Sequence, residues 1–234
     1  STPACRRTGW CPMPSSRRGS RRSTTASGRA GWCRGSGPTW RLPTGRLPAR
    51  VLGRPKVVDG PGGAAIEFNG VDDAIFLDRH PLAGAETFTW EVVFRPDGDG
   101  PAEQRFFHLQ EKDPRTGANT QVRMLMETRI VERRWTLDSF VYSTTGSRAL
   151  LNRERRHEAD RWQHAAMAYD GTHFRNWVNG ELEGEAAVAF APQRAGHASI
   201  GVRIDLRDHF KGAIRLARFT RRALRPSEFL RAPA

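Results

Sequence analysis

Trp162-Gln163-His164-Ala165-Ala166-Met167-Ala168-Tyr169-Asp170-Gly171-Thr172-His173-Phe174-Arg175-Asn176-Trp177-Val178-Asn179-Gly180 decides the fold class of this chain. Two short apolar-rich runs, 162–169 and 174–178, are punctuated by Asp170-Gly171 and Asn179-Gly180. Asn-Gly and Asp-Gly supply the positive φ angles of tight hairpin turns, so this stretch reads as strand, turn, strand, turn. The same texture extends outward in both directions. Upstream, residues 65–68 end in Asn69-Gly70, residues 74–77 follow, and residues 87–94 are halted by Pro96-Asp97-Gly98. Runs at 105–110, 121–128 and 135–142 continue the series, and 198–203 and 212–219 complete it downstream. Only Pro226-Ser227-Glu228-Phe229 suits a helical turn. About ten strands without intervening helices predict an all-β, antiparallel two-sheet jelly-roll sandwich, larger than an immunoglobulin-like domain.

The net charge of +13 is not spread over this body. Residues 1–50 hold 11 Arg, no Lys and no acidic residue, whereas residues 51–234 hold 27 basic and 25 acidic side chains. A folded nucleic-acid-binding surface carries its charge as a patch on its own fold, so the body is not expected to bind nucleic acid. Residues 1–50 use ten amino-acid types, with 37 positions taken by Arg, Ser, Gly, Pro and Thr. So little apolar matter does not offset conformational entropy, and the segment reads as disordered, with the folded domain at 51–234. Three readings of it stand: an arginine-rich phosphate-binding arm, a solvated tail, or GC-rich DNA translated out of frame in place of the first strand. An uninterrupted alternative reading frame over these codons would support the third, and a stop codon within it would eliminate it.

Cys5, Cys11 and Cys33 all lie in that segment, are odd in number and match no zinc spacing. No apolar window of 18 residues marks a transmembrane helix, and the first residues lack the apolar centre of a signal peptide. The chain contains no G-x-S-x-G elbow, no phosphate-binding G-x-x-x-x-G-K-[ST] loop and no dinucleotide fingerprint, which excludes those enzyme classes.

Five blocks, in order, carry a family resemblance. Phe68-Asn69-Gly70-Val71-Asp72-Asp73-Ala74-Ile75 resembles the F-x-G-x-D-D-x-[IV] opening of laminin G-like domains, and Phe88-Thr89-Trp90-Glu91-Val92-Val93-Phe94 resembles their next strand. The run 162–171 is similar to W-x-H-[VA]-A-x-x-Y-D-G, and Trp177-Val178-Asn179-Gly180 to [YLW]-V-N-G. Phe210-Lys211-Gly212-Ala213-Ile214, with Arg218 and Arg222-Ala223-Leu224, is similar to the closing block. Arg215-Leu216 departs from the pattern, where an acidic pair is usual. The resemblance implies a concanavalin A-like sandwich that binds a polysaccharide or a glycosylated surface in an extracellular or cell-envelope setting, sometimes through calcium.

Asp72 and Asp73 are the candidate Ca2+ ligands, being hard oxygen donors in a turn; the alternative is that they cap the Asn69-Gly70 turn. Glu181, Glu183 and Glu185 alternate and are expected on one strand face, as a solvated hairpin edge or as the paired carboxylates of a laminarinase-like glycosidase. On the middle strands, His108 and Gln110 share a face, as do Arg123, Glu127 and Arg129, and Asp138 falls between Leu137 and Ser139. If the three strands are neighbours, these residues gather in one polar groove suited to sugar hydroxyls and carboxylates. Glu127 with Asp138 or His108 would form the acid/base pair of a glycoside hydrolase or lyase; the bland alternative is a wet sheet face with cross-strand ion pairs. His164 reads as a hydrogen-bonded packing residue. Lacking a sharp catalytic motif, the chain is expected to be a non-catalytic binding module, with an enzyme or an adhesive spacer as alternatives.

Overall fold

The computed structural model describes residues 39–41 and 49–231. In chain order the strands are β1 (Thr39–Arg41), β2 (Ala49–Leu52), β3 (Lys56–Gly60), β4 (Gly63–Asn69), β5 (Ala74–Leu77), β6 (Phe88–Pro96), β7 (Glu103–Lys112) and β8 (Asn119–Val131). There follow β9 (Arg134–Tyr142), β10 (Ser147–Leu151), β11 (His157–Glu158), β12 (Gln163–Tyr169), β13 (His173–Val178), β14 (Glu181–Ala187), β15 (Gly196–Ile200) and β16 (Lys211–Thr220). A 3-10 turn, Pro226–Glu228, closes the described chain. One sheet (sheet A below) runs β14-β13-β12-β6-β16-β4-β3 with β1 beside β16; the other (sheet B) runs β10-β9-β8-β7-β15-β5-β2 with β11 beside β9. The fold is the expected antiparallel sandwich.

Alternation along each strand builds the core. On β6, Phe88, Trp90, Val92 and Phe94 point between the sheets and are fully buried. They meet Phe106, Phe107, Leu109, Met124, Met126, Trp135 and Leu137 of sheet B. Phe94 stacks on Phe106 at 4.4 Å, and Trp135 meets Phe94 edge-on at 5.1 Å. Aromatic pairs in such geometry contribute about 0.5–1.5 kcal/mol beyond the area they bury.

The outer face of sheet A is covered as well. Its strand β12, between β13 and β6, is buried at every position because the chain after β16 crosses it. The small side chains of Ala166 and Ala168 leave room there for Leu224 and Phe229, and Phe229 packs edge-on against Trp177 at 5.2 Å. Thr89 ties the crossing segment down: its hydroxyl donates to the Arg222 carbonyl (2.9 Å) and accepts from the Leu224 amide (2.8 Å).

The ladders also reach into the stretch that composition reads as disordered. β1 pairs with β16, and β2 pairs with β5 from Ala49 onward. Strand addition at an edge needs backbone donors and acceptors, which a segment poor in apolar residues still supplies. The rest of residues 1–50, with its three cysteines and the readings attached to it, lies outside the described residues.

Two hairpins use the same left-handed backbone with different residues. Asn179 and Gly180 have φ of 51° and 86°, as the sequence leads one to expect. Between β8 and β9, Val131 pairs with Arg134, leaving Glu132 and Arg133 as the turn with φ of 52° and 57°. Neither residue favours that region, where a side chain with Cβ costs roughly 1–2 kcal/mol and Asn costs less. Glu132→Asn is therefore expected to stabilise the fold by about 0.5–1 kcal/mol, read as a higher urea midpoint; an unchanged or lower midpoint would show that this turn is not strained.

Candidate functional site

Register places three cross-strand rows on the outer face of sheet B. Arg105, Glu127 and Asp138 lie opposite one another on β7, β8 and β9. The next row is His108, Leu125, Phe140 and Ala149, and the third is Gln110, Arg123, Tyr142 and Ser147. These rows form a groove of about 270 Å³ lined by Arg105, Arg123, Glu127, Arg129, Asp138 and Arg203, with a floor of Leu125, Phe140 and Ala149. Four of the residues that the alternation singles out, Arg123, Glu127, Arg129 and Asp138, thus line one groove.

The other two share the face but not the groove. Gln110 turns its amide to the Thr120 carbonyl at 2.6 Å. His108 is 1% exposed, beneath the loop that follows β15. Its Nδ1 accepts the Ile204 amide at 3.1 Å, so the proton resides on Nε2. Burial, followed by the Arg203 and Arg123 charges, holds its pKa well below the ordinary imidazole value, so at neutral pH it is an uncharged support for the loop. Sequence periodicity misses two lining residues. Arg105 faces the groove because the ladder slips between Arg105 and Phe107, which reverses the alternation. Arg203 falls at the end of the run read as strand over 198–203, but β15 stops at Ile200 and Arg203 stands in the loop that follows.

One end of the groove is a compensated ionic network. Arg129 Nη2 donates to Glu127 Oε2 (3.0 Å) and to Asp138 Oδ2 (2.6 Å), and its Nε reaches Asp138 at 3.1 Å. Arg105 contacts Glu127 (3.1 Å), Glu103 (3.2 Å) and Asp208 (2.7 Å). Glu103 also pairs with Arg129 at 2.5 Å. Burial, and then the Asp138 charge, push the Glu127 carboxyl up to about 7 against the pull of the two arginines.

The candidate calcium ligands do a different job. Asp73 accepts the Arg54 and Asn69 amides at 2.6 and 3.0 Å, and Asp72 accepts the Asn69 side-chain amide at 2.7 Å. Asn69 in turn accepts the amides of Val71, Asp72 and Asp73. Both aspartates tie the turn, and the cavity beside Asp73 includes Lys56 and Lys211. That donor set does not fit a divalent cation, and among the described residues no group of three or more His, Cys, Asp or Glu is placed to hold a metal.

The glutamate triplet is separated by a β-bulge between Asn176 and Trp177, so the expected common face is not formed. Glu183 is buried and bonds His157 at 2.5 Å, Glu185 pairs with Arg175, and Glu181 lies 3.7 Å from Arg155. An extra residue on one strand shifts the phase of everything beyond it, which strict alternation does not anticipate. His164 is a packing residue, buried under Phe229 with Nε2 3.1 Å from Glu91.

Two antiparallel sheets closed over an aromatic core, with a polar groove on one outer face, define a jelly-roll sandwich domain. The family model of the concanavalin A-like lectin/glucanases superfamily matches residues 69–229, and the chain belongs to that superfamily. Among solved structures, domain 4 of AbnA, a GH43 extracellular arabinanase from Geobacillus stearothermophilus in complex with arabinotriose, is similar at TM-score 0.56 and 19% identity. That match covers 77% of this chain and 85% of the other. The binding domain of botulinum neurotoxin serotype G matches at TM-score 0.56 and 11% identity, covering 77% of this chain but 44% of that one. A SAP-like pentraxin from Limulus polyphemus matches at TM-score 0.53 and 16% identity, covering 69% and 77%. At these identities the likeness is one of fold. No curated protein matches the chain, and among the described residues no helix is long and apolar enough to cross a membrane.

Glu127 makes stability depend on pH in a defined direction. Between the ordinary glutamate value of 4.5 and about 7, the folded state holds more proton than the unfolded state. Its contribution to stability therefore falls as pH rises through that window and stays lower above it. In denaturation at pH 5 and pH 8, the wild type is expected to lose on the order of 1–3 kcal/mol more than Glu127→Gln. Parallel profiles for the two proteins would remove the assignment.

Proposed function

We propose that the chain is a non-catalytic carbohydrate-binding module whose saccharide lies in the groove over Leu125 and Phe140. The observation that carries this reading is the position of Arg129, whose Nη2 is shared by Glu127 and Asp138. A glycosidase keeps the space between its two carboxylates for the scissile bond or for water. Here a guanidinium fills it, and the two carboxyl groups are held in place beside an apolar floor, the mixture that grips sugar hydroxyls and C–H faces. The arabinotriose complex of the arabinanase domain supports this choice of ligand class, as does the N-acetylneuraminic acid complex of the botulinum serotype D binding domain (10% identical, TM-score 0.54). Such sandwiches often serve extracellular proteins, which makes a secreted or cell-envelope setting the natural one.

The raised pKa of Glu127 next to Asp138 favours a second reading, a hydrolase or lyase with Glu127 as general acid. Calorimetry of the whole chain against neutral and acidic polysaccharides, with product analysis of each mixture, separates the two. We expect saturable binding that survives a chelator, leaves the sugar intact, and weakens about tenfold, about 1.4 kcal/mol, in Phe140→Ala. New reducing ends or unsaturated products that vanish in Glu127→Gln would make this an enzyme. Failure to bind any saccharide would leave the adhesive or spacer role.

A further inference from the structure

The two ends of the groove differ in charge compensation. At the Glu127 end, Arg105 and Arg129 face four carboxylates: Glu103, Glu127, Asp138 and Asp208. At the other end, Arg123 has Gln110 and Tyr142 opposite it on the neighbouring strands, both neutral. Gln121 and Leu125, two positions away on its own strand, are neutral as well. Its hydrogen bonds go to the Gln121 carbonyl at 2.8 Å and to the Gln121 side-chain oxygen at 3.4 Å. The buried Arg123 Nε has no hydrogen-bond acceptor. The guanidinium lies over the rings of Phe140 and Tyr142, 5.0 and 5.5 Å from their centroids, which fixes its plane above the groove floor.

Arg203 lines the same groove from the loop. Its ion pair is with Asp205, at 3.1 Å to an oxygen that Arg207 also takes at 2.7 Å. Two guanidiniums therefore face one cavity with half a carboxylate between them. Burial and then Arg203 hold the Arg123 pKa below its ordinary value, against the pull of Glu127 and Asp205.

We infer that the groove takes an anionic saccharide, its carboxylate or sulfate held by Arg123 and Arg203 while the sugar ring lies on Phe140. This rests on the carbohydrate-binding reading above and adds the ligand's charge and its seat. A planar guanidinium with a free Nε–H matches a carboxylate or sulfate through parallel hydrogen bonds, and its partial desolvation strengthens the pairing.

The test uses the whole chain and short ligands, so that the arginines of residues 1–50 are constant throughout. Trigalacturonate is compared by calorimetry with its methyl ester, and a sulfated trisaccharide with its desulfated counterpart. We expect the anionic member of at least one pair to bind tenfold or more tightly than its neutral partner. That preference is expected to fall to within twofold in Arg123→Gln and in Arg203→Gln, and to persist in Arg115→Gln, on an exposed turn outside the groove. The pair that shows the preference identifies the anion as carboxylate or sulfate. Neutral and anionic members binding alike, a preference surviving both groove variants, or one lost equally in Arg115→Gln would overturn the inference while leaving carbohydrate binding intact. No binding in either pair, together with no saccharide bound in the broader screen, would overturn both. The Arg203→Gln arm removes a loop side chain, so it reports even if Arg123→Gln disturbs the sheet.

Discussion

At the bulge between Arg105 and Phe107, β7 turns a phenyl ring inward and a guanidinium outward within two residues. Phe106 enters the core, stacked on Phe94 and packed against Phe210 at 5.8 Å. Arg105 is left opposite Glu127 on the outer face. Without the extra residue the alternation would exchange them, setting a cation among the aromatics and a ring among the carboxylates. A buried unpaired charge costs several kcal/mol, so the core and the groove enforce the same register. Phe106 also accepts the Gly201 amide at 3.0 Å, which starts the loop carrying Arg203. Gly201 has φ of 82°, and a Cβ there would lie 2.2 Å from the Phe68 ring, so only glycine lets the loop leave β15 at this point. One bulge thereby places two of the four arginines.

Two buried glutamates show how far the surroundings decide chemistry. Glu91 is fully buried, which alone would raise its pKa, yet the His164, Arg218 and Leu230 donors more than offset this and hold it below the ordinary value. Its carboxylate receives a bond from each of three chain segments, so it binds the C-terminal crossing to sheet A. Glu127 is nearly as buried and has two arginines, but it shares one of them with Asp138, and its pKa moves the opposite way. The difference lies in the donor count per carboxylate and in the Asp138 charge beside Glu127, which has no counterpart beside Glu91. The first arrangement is satisfied internally, whereas the second leaves a titratable group facing a cavity.

Much of the fold was legible because the strong signals are local. Asn179-Gly180, the alternation of β6 and the ordered blocks ending in Phe210-Lys211-Gly212 are properties of short segments, and the structure follows them. The groove was legible in part for the same reason, since Arg123, Glu127 and Arg129 alternate on one uninterrupted strand and Asp138 meets Glu127 in register. What escaped was whatever depends on phase slips and on loops. The bulge in β7, which no glycine marks, hid Arg105, and the bulge in β14, whose extra residue Glu183 adjoins Gly184, split Glu181, Glu183 and Glu185. Arg203 and the cover over His108 arise from a connection whose path is set by Gly201 against Phe68, a contact between residues 133 positions apart. β1 and β2 are edge pairings made by the backbone, which composition does not report.

The cover over His108 also divides the face of sheet B. Val202 and Ile204 pack with Ala74 and Phe76 in a small apolar cluster, so the loop is anchored on β5 and not merely draped over β7. The neutral His108 ring receives the Ile204 amide from below, and the Ser199 hydroxyl donates to the Val202 carbonyl at 2.6 Å. Both bonds are buried, where breaking one leaves an unsatisfied polar group. The loop therefore acts as a fixed wall. On its far side a second cavity, of about 620 Å³, is lined by Arg50, Asp78, Lys112 and His197 among others. On the proposed reading, a saccharide in the first groove would meet Arg203 at a position set by the anchored loop, and selectivity for charge would come from preorganised cations and not from closure around the ligand.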